Sequence, residues 1–202
     1  MLNPMPNSPI QTLQWMVEQR LLLFMPDFLA LEDRQLFLAE ARNSPVLPAP
    51  VDEYAQTQER PVQRQTQLLE ISASLEQESK QRFAQVAPFV NQHFGLELQR
   101  QERPQFLRYA VGDFFKPHTD SYDHPIYRER RISFILCLND HADYQGGRLA
   151  FFLRHPSQPE RFLGVPVPPA AGLLIAFRSD LLHEVSPVTA GERLTVVTWL
   201  AE

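Results

Sequence analysis

The sequence predicts a mostly β protein in which N-terminal helices precede an antiparallel sandwich or barrel. Its 18 prolines in 202 residues are nearly twice the usual ~5% and favour short segments over a helix bundle. After Gly95, short apolar runs alternate with Gly, Pro, Asn and Asp, as is typical of many short antiparallel strands. We therefore expect residues 1–95 to form a support region of helices and strands. It should pack on a β domain of residues 96–202 in one globular unit.

The first part of the support region is expected to hold a strand and a helix. Residues 21–25 are a short apolar run that indicates a strand. The helical spacing that follows has an acidic first turn and Asp27, or a neighbour, as its N-cap. Residues 44–66 are rich in Pro, Gln and charge, and we expect an exposed, mobile connection there that is a candidate lid.

A second strand and helix are expected to complete the support region. The strand is predicted at residues 67–71. Ser74 and Gln77 have the spacing of a capping box, which predicts the start of the helix. Pro88 is expected to kink or end this helix, and Gly95 is expected to stop it.

The β domain is expected to contain nine strands separated by turns. The predicted strands are residues 96–99, 105–110, 114–118, 131–138, 148–153, 162–167, 173–177, 183–185 and 194–200. The predicted turns are residues 139–147, 155–160, 168–172 and 187–192.

Composition excludes several functional classes. With 24 acidic and 19 basic residues the chain has a net charge of −5, which disfavours nucleic acid and anionic membranes as partners. The single cysteine, Cys137, excludes an internal disulfide and cysteine-rich zinc or iron–sulfur sites. The N-terminal sequence lacks a signal-peptide pattern, and residues 21–25 are too few to span a bilayer. A cytoplasmic protein is therefore expected; its oligomeric state is left open.

Two histidine–carboxylate pairs have the spacing of metal ligands. His118 and Asp120 share one face of a predicted strand, because side chains alternate along a strand. Four predicted strands separate Asp120 from His183, and in a jelly roll this even number returns the His183 strand antiparallel beside that of His118. The second pair, His141 and Asp143, falls in a predicted turn, where we expect a solvated surface pair.

His118, Asp120 and His183 would form a facial triad of two imidazoles and one carboxylate, as in non-haem Fe(II) oxygenases. Such a triad leaves three coordination positions open, two for a bidentate 2-oxo acid and one for O₂. Arg193 begins the last predicted strand, and a guanidinium inside a sheet needs an anion. It can reach the far carboxylate of a metal-bound dicarboxylic acid, and Thr195 on the same face can add a hydroxyl hydrogen bond.

Residues 109–199 resemble a known family, the prolyl 4-hydroxylase-like branch of the 2-oxoglutarate/Fe(II)-dependent dioxygenases. The matching segments, in order, are RYAVGDFFKPHTD, RRISFILCLND, YQGGRLAFF, LLIAF and LHEVSPVTAGERLTVVTW. The resemblance implies a double-stranded β-helix, a jelly roll of the cupin-like kind, supported by N-terminal helices. It also implies hydroxylation of an unactivated C–H bond, with 2-oxoglutarate and O₂ consumed and succinate and CO₂ released. A prolyl residue of a protein or peptide is the implied substrate.

The resemblance assigns roles to individual residues. It implies that His118, Asp120 and His183 bind Fe(II), that Arg193 binds the tail carboxylate of 2-oxoglutarate, and that Tyr109 lines the cosubstrate pocket.

One position departs from the family pattern. Many prolyl hydroxylases have a Tyr that helps to hold the cosubstrate tail where this chain has Cys137. Thr195 or Tyr109 are candidate substitutes, and we expect Cys137 to be a small buried hydrophobic residue. The retained Asp120 argues against a halogenase, because related halogenases lack this carboxylate.

Alternative functions stay open on the sequence alone. They are hydroxylation of a free amino acid or other small molecule, and a metal-binding cupin-like module without turnover. A zinc hydrolase is disfavoured because no convincing general base lies beside the triad.

Other features are expected to be structural. Gly146 and Gly147 indicate a tight turn or a close backbone approach, and Trp199 is expected in the core. The charged run 128–131 is expected to be a solvated face. The loop 121–130 is a second candidate lid.

Overall fold

Three helices and fifteen strands are found in the part of the chain that this computed structural model describes, residues 8–48, 63–155 and 157–202. The helices are α1 (Pro9–Glu18), α2 (Leu31–Asn43) and α3 (Ala73–Phe94). The strands are β1 (Leu22–Met25), β2 (Val46–Pro48), β3 (Arg64–Gln65), β4 (Gln67–Leu69), β5 (Arg100–Gln101), β6 (Gln105–Tyr109), β7 (Phe114–His118), β8 (Arg130–Cys137), β9 (Tyr144–Gly146), β10 (Leu149–His155), β11 (Gln158–Pro166), β12 (Leu174–Arg178), β13 (His183–Val185), β14 (Val188–Gly191) and β15 (Arg193–Ala201).

The strands form two main antiparallel sheets and a small hairpin-like pair. The larger sheet has the order β1-β12-β8-β15-β6-β4-β2, with β5 also paired to β15. The smaller sheet has the order β11-β10-β13-β7-β3, and β14 pairs with β9 apart from both. This arrangement is a jelly roll with N-terminal helices, so the predicted double-stranded β-helix class is confirmed.

The larger sheet buries both of its faces. Along β8, Phe134 and Leu136 belong to one apolar cluster, which includes Phe37 of α2 and Phe83 of α3. The alternate residues Ile135 and Cys137 belong to a second cluster, which lies between the two sheets. Because side chains alternate along a strand, a strand buried on both faces reads as a continuous apolar run. Helices α2 and α3 therefore cover one face of this sheet, whereas Leu13 and Met16 of α1 belong to the second cluster, in which the site lies.

Helix α1 was not predicted, although the sequence carries its start signal. Ser8 is the N-cap, its side chain accepts a hydrogen bond from the Gln11 amide, and Pro9 occupies the first turn. Leu13 and Met16 are buried. No helix among the described residues is long and apolar enough to cross a membrane.

The predicted start of α2 was wrong. Its N-cap is Ala30, whose side chain provides no capping hydrogen bond. Asp27 lies earlier, in a turn, with a left-handed φ of 54° that removes it from the capping position.

The predicted capping box of α3 was also wrong, because the helix begins earlier. Ser72 is the N-cap and accepts a hydrogen bond from the Leu75 amide at 3.2 Å. The helix continues through Pro88, because Phe83 and Val90 on either side of it are held in the core. Gly95 ends the helix with a left-handed φ of 69°, as predicted.

Most predicted strands of the β domain are present to within a few residues, with two kinds of error. Residues 96–99 do not form a strand, because the side chain of Asn91 hydrogen-bonds both the amide and the carbonyl of Leu98. The predicted turns 139–147 and 187–192 contain β9 and β14, which pair with each other. Most of the connection predicted at 44–66 lies outside the described residues. Its two ends form β2 and β3.

Candidate metal centre and anion pocket

Two neighbouring strands of the smaller sheet bring three possible metal ligands together. His118 ends β7 and is paired with His183, which begins β13, so the pairing expected from the sequence is present. The Asp120 carboxylate lies 3.6 Å from Nε2 of His118 and 3.8 Å from Nε2 of His183. One ligand atom from each of the three residues lies within 4.8 Å of the other two. The space between them is suited to a single cation.

Asp120 is positioned by a turn contact and not by the strand itself, because β7 ends at His118. Its amide donates a hydrogen bond of 2.8 Å to the carbonyl of Ser179. The Ser179 hydroxyl in turn lies 2.9 Å from the hydroxyl of Ser133 on β8, and both serines are buried. The backbone at Asp120 is thus joined to the turn that follows β12 of the larger sheet, while the imidazoles belong to the smaller sheet.

Backbone carbonyls orient both imidazoles. Nδ1 of His118 lies 2.7 Å from the Lys116 carbonyl, and Nδ1 of His183 lies 2.9 Å from the Leu181 carbonyl. A carbonyl only accepts hydrogen bonds, so each Nδ1 carries the proton and each Nε2 keeps its lone pair. Such hydrogen bonds are characteristic of histidines that bind metals.

Burial and charge set the ionisation of the cluster. Burial, with the neighbouring His183, lowers the pKa of His118 to about 3, so this imidazole is neutral at physiological pH. Burial by itself would raise the pKa of Asp120, but His183 and His118 hold that pKa below its ordinary value. A neutral imidazole and an ionised carboxylate are the forms that bind metal ions. Two nitrogen donors and one carboxylate on one side fit Fe(II) with open positions.

The second histidine–carboxylate pair does not approach this cluster. His141 and Asp143 are exposed, and Asp143 forms an ion pair of 3.2 Å with Arg42. The expectation of a surface pair is confirmed. Among the residues that the structure describes, His118, Asp120 and His183 are the one group placed to share an ion.

Arg193 is buried without a carboxylate partner among the described residues. It is only 3% exposed and begins β15 opposite Tyr109 of β6. Its guanidinium lies 5.2 Å from the centroid of the Tyr109 ring and 3.5 Å from Oγ1 of Thr195. A buried guanidinium is costly unless an anion neutralises it. The site is therefore prepared for an anionic group.

A small cavity lies beside Arg193, in the space between the two sheets. Its lining residues are Cys137, Tyr144, Gly147, Arg148, Leu149, Val167, Pro168, Pro169, Ile175 and Arg193. We refer to it as the anion pocket.

The anion pocket and the metal cluster are connected through two strands. On β12, Ile175 lines the pocket, and the ring centroid of Phe177 lies 4.8 Å from that of His183. On β10, Leu149 lines the pocket, and Phe151 lies opposite His183. Residues two apart on a strand share a face and are separated by about 7 Å. This is the length scale of a five-carbon dicarboxylic acid.

The remaining predicted residues occupy this region in different ways. Tyr109 presents its ring to the Arg193 guanidinium, and Thr195 is buried opposite Cys137 of β8. Cys137 is a buried small residue, as expected, and burial raises the pKa of its thiol.

Tyr144 is a pocket residue that the sequence reasoning missed. Its position falls in a predicted turn, for which no side-chain direction was assigned. Only the pairing of β9 with β14 turns it toward Arg193.

Gly147 has the close approach expected of the glycine pair. Its φ is 55°, and a Cβ atom there would lie 3.2 Å from Cδ of Arg193 and 3.2 Å from Cε2 of Tyr144. The glycine allows these two side chains to lie together.

The charged run 128–131 is not wholly a solvated face, so that expectation was wrong for Arg130. This residue is buried, its Nη2 lies 2.6 Å from Glu102, and its guanidinium lies 3.6 Å from the Trp199 ring centroid. The salt bridge and the ring contact explain its burial. Trp199 is 7% exposed, so its expected place in the core is confirmed.

Comparison with known proteins indicates the same kind of metal site as the geometry does. The sequence model of the 2OG-Fe(II) oxygenase superfamily matches residues 104–201. This match lies within the expected β domain, which therefore resembles the family that the sequence motifs indicated, the prolyl 4-hydroxylase-like 2-oxoglutarate/Fe(II)-dependent dioxygenases.

Individual relatives agree with this match. A PKHD-type hydroxylase of Synechococcus sp. (strain CC9902) is 37% identical over 93 residues, which are 46% of this chain and 38% of that protein. The chain spans less than half the length of the curated relatives it matches.

Solved structures show the same fold over most of the chain. A prolyl-4-hydroxylase of Pseudomonas putida has a TM-score of 0.66 at 24% identity, over 93% of this chain and 95% of that one. A prolyl hydroxylase of Trichoplax adhaerens, solved with a peptide fragment of the hypoxia inducible factor oxygen degradation domain, has a TM-score of 0.68 at 16% identity. That comparison covers 92% of this chain and 86% of the neighbour.

Proposed function

We propose that the protein is an Fe(II) hydroxylase that depends on 2-oxoglutarate and O₂. Residues 96–202 would carry the reaction and residues 1–95 would support them. The single observation behind this proposal is that a two-histidine, one-carboxylate cluster shares one interior space with a buried arginine. That arginine has no carboxylate partner among the described residues. The cluster provides for a metal ion and the arginine provides for the far end of a diacid.

In this proposal His118, Asp120 and His183 hold the metal. The Nδ1 contacts with backbone carbonyls keep both Nε2 atoms turned inward, and the hydrogen bond of the Asp120 amide to Ser179 fixes the backbone that carries the carboxylate. When bound, Fe(II) together with 2-oxoglutarate and O₂ supplies the oxidation that hydroxylates a C–H bond and yields succinate and CO₂. Apolar walls, including Phe151 and Phe177, exclude water from the interior side.

Arg193 is proposed to bind the distal carboxylate of 2-oxoglutarate. The carboxylate would neutralise a guanidinium that is otherwise buried without a carboxylate partner among the described residues. Thr195 can donate its hydroxyl hydrogen to the same carboxylate, and Tyr109 supports the guanidinium with its ring. This arrangement fixes the cosubstrate at the end away from the metal.

We propose a prolyl residue of a protein or peptide as the substrate. The names of the PKHD-type relatives and of the prolyl hydroxylase neighbours support this choice, as does the peptide bound to the Trichoplax neighbour. A free amino acid or another small molecule is the alternative substrate, and the experiment below separates the two.

Two measurements test the proposal. Anaerobic addition of 2-oxoglutarate to the Fe(II)-loaded protein should give a visible charge-transfer absorption. Aerobic incubation with proline-containing candidate proteins should add one oxygen, detected by mass spectrometry, with matching release of succinate. Hydroxylation of a free amino acid but of no protein would identify the alternative substrate. Metal binding without the absorption would identify a non-catalytic module.

The variant Asp120→Ala tests the metal assignment. Removing the carboxylate leaves two imidazoles, so we expect loss of the charge-transfer absorption and of substrate-coupled 2-oxoglutarate turnover. Full activity in this variant would overturn the assignment.

A further inference from the structure

The side chain of Tyr144 meets Arg193 inside the anion pocket. Tyr144 is 6% exposed and begins β9, which pairs with β14. Gly191, at the end of β14, lies opposite Tyr144, and Arg193 follows two residues later. The β9–β14 pair therefore holds the phenol and the guanidinium at one wall of the pocket. Gly147 makes the approach possible, since a Cβ atom there would contact both side chains.

Hydrogen-bond chemistry directs the phenol toward a ligand. The side chains of Tyr144 and Arg193 both line the anion pocket and both approach the same point beside Gly147. A guanidinium has donors only, so it cannot accept the phenolic hydrogen, which remains available to a ligand. Burial raises the pKa of Tyr144, so the phenol keeps that hydrogen at neutral pH. One anion in the pocket can thus receive hydrogen bonds from both residues.

The other candidates for this role are poorer donors. Cys137 lies opposite Thr195, but a thiol is a weak donor. Tyr109 presents the face of its ring to the guanidinium.

We infer that Tyr144 is a further ligand of the distal carboxylate of 2-oxoglutarate, beside Arg193 and Thr195, and that it supplies a phenolic hydrogen bond that Cys137 cannot. This inference rests on the proposed function of the same site. Tyr144 would then contribute to selectivity for a dicarboxylic over a monocarboxylic 2-oxo acid, because its hydroxyl has a partner only when the distal carboxylate is present.

Binding measurements on the full chain test this inference. The Fe(II)-loaded protein is titrated without oxygen, by the charge-transfer absorption, with 2-oxoglutarate and with 2-oxopentanoate, which has the same chain but no distal carboxylate. The variant Tyr144→Phe should bind 2-oxoglutarate about tenfold more weakly, as expected for the loss of a hydrogen bond to a charged group. It should bind 2-oxopentanoate as well as the original protein does. If the substitution instead disturbed the structure of the pocket, the binding of both ligands would be weakened to the same extent.

The matched control is Gln145→Ala, since Gln145 is the next residue of β9 and is exposed. This control should leave both dissociation constants unchanged. Equal effects of Tyr144→Phe on the two ligands, or no effect on either, would overturn the inference.

A third variant separates this inference from the proposed function. If Arg193→Gln loses 2-oxoglutarate affinity while Tyr144→Phe does not, the inference fails and the proposed function stands. If the original protein forms no complex with 2-oxoglutarate, both fail.

Discussion

Replacing Arg193 with methionine should have opposite effects on the metal-free protein and on its 2-oxoglutarate complex. Arg193 is 3% exposed, and its guanidinium has no carboxylate partner among the described residues. Methionine has a similar volume and no charge. Without the cosubstrate, the variant should be more stable, because it no longer buries an unneutralised charge. With the cosubstrate, it lacks the group proposed to neutralise the distal carboxylate.

The magnitude follows from the contacts of the guanidinium. Burying an ion costs several kcal/mol, and replacing buried ionic groups by apolar ones often stabilises by roughly 1–4 kcal/mol. The contact with the Tyr109 ring offsets up to about 2 kcal/mol, and the 3.5 Å contact with Thr195 offsets little. We therefore expect the free energy of unfolding of the ligand-free protein to rise by about 1 kcal/mol. For a chain of this size, the Tm would increase by roughly 2–4 °C.

The ligand complex should respond in the other direction. At a 2-oxoglutarate concentration of about 100 times Kd, the original metal-loaded protein gains about 2.7 kcal/mol in stability. If the variant binds about 100-fold more weakly, its gain at the same concentration is only about 0.4 kcal/mol. Urea unfolding with and without 2-oxoglutarate, without oxygen, measures both effects. If the ligand-free variant is less stable than the original by 1 kcal/mol or more, the buried guanidinium is not a cost to the fold. If 2-oxoglutarate stabilises the variant as much as it stabilises the original, Arg193 does not bind the distal carboxylate.

Three further predictions follow from other parts of the structure. Gly147→Ala should destabilise the fold by about 1 kcal/mol in urea unfolding and weaken 2-oxoglutarate binding, because a Cβ at φ 55° is strained and crowds the pocket; unchanged binding would contradict the close approach. Arg130→Ala should cost about 3 kcal/mol, because it removes a buried side chain that packs on Trp199 and leaves the part-buried carboxylate of Glu102 without its salt bridge. Arg42→Ala, which breaks exposed ion pairs, should lower the free energy of unfolding by less than about 1 kcal/mol. Equal losses in the Arg130 and Arg42 variants would show that burial does not set the strength of these ion pairs. The metal-free protein should lose stability as pH falls from about 6.5 toward 3, because unfolded His118 binds a proton that folded His118 excludes. In a His118→Asn variant, the free energy of unfolding should depend less steeply on pH across that window. An unchanged pH dependence would show that another group causes the loss of stability.

The sequence by itself determined the class of the fold and the candidate metal ligands. These depend on short-range rules that tertiary packing does not change. Alternating apolar runs with turn residues mark strands, and left-handed glycine marks the end of a helix, as at Gly95. Counting strands placed His183 beside His118, and the result holds because the additional strand β9 lies outside both main sheets.

Only the tertiary structure decided which residues are buried in segments that the sequence predicts to be exposed. Tyr144 and Arg130 lie in stretches that read as a turn and as a charged surface, and both are buried by partners distant in sequence. Asp120 is similar, since it lies beyond the end of its own strand and its backbone amide is held by Ser179. The physical reason is that burial of polar groups depends on finding hydrogen-bond partners. Those partners are supplied by the packing of remote strands and cannot be derived from local sequence patterns.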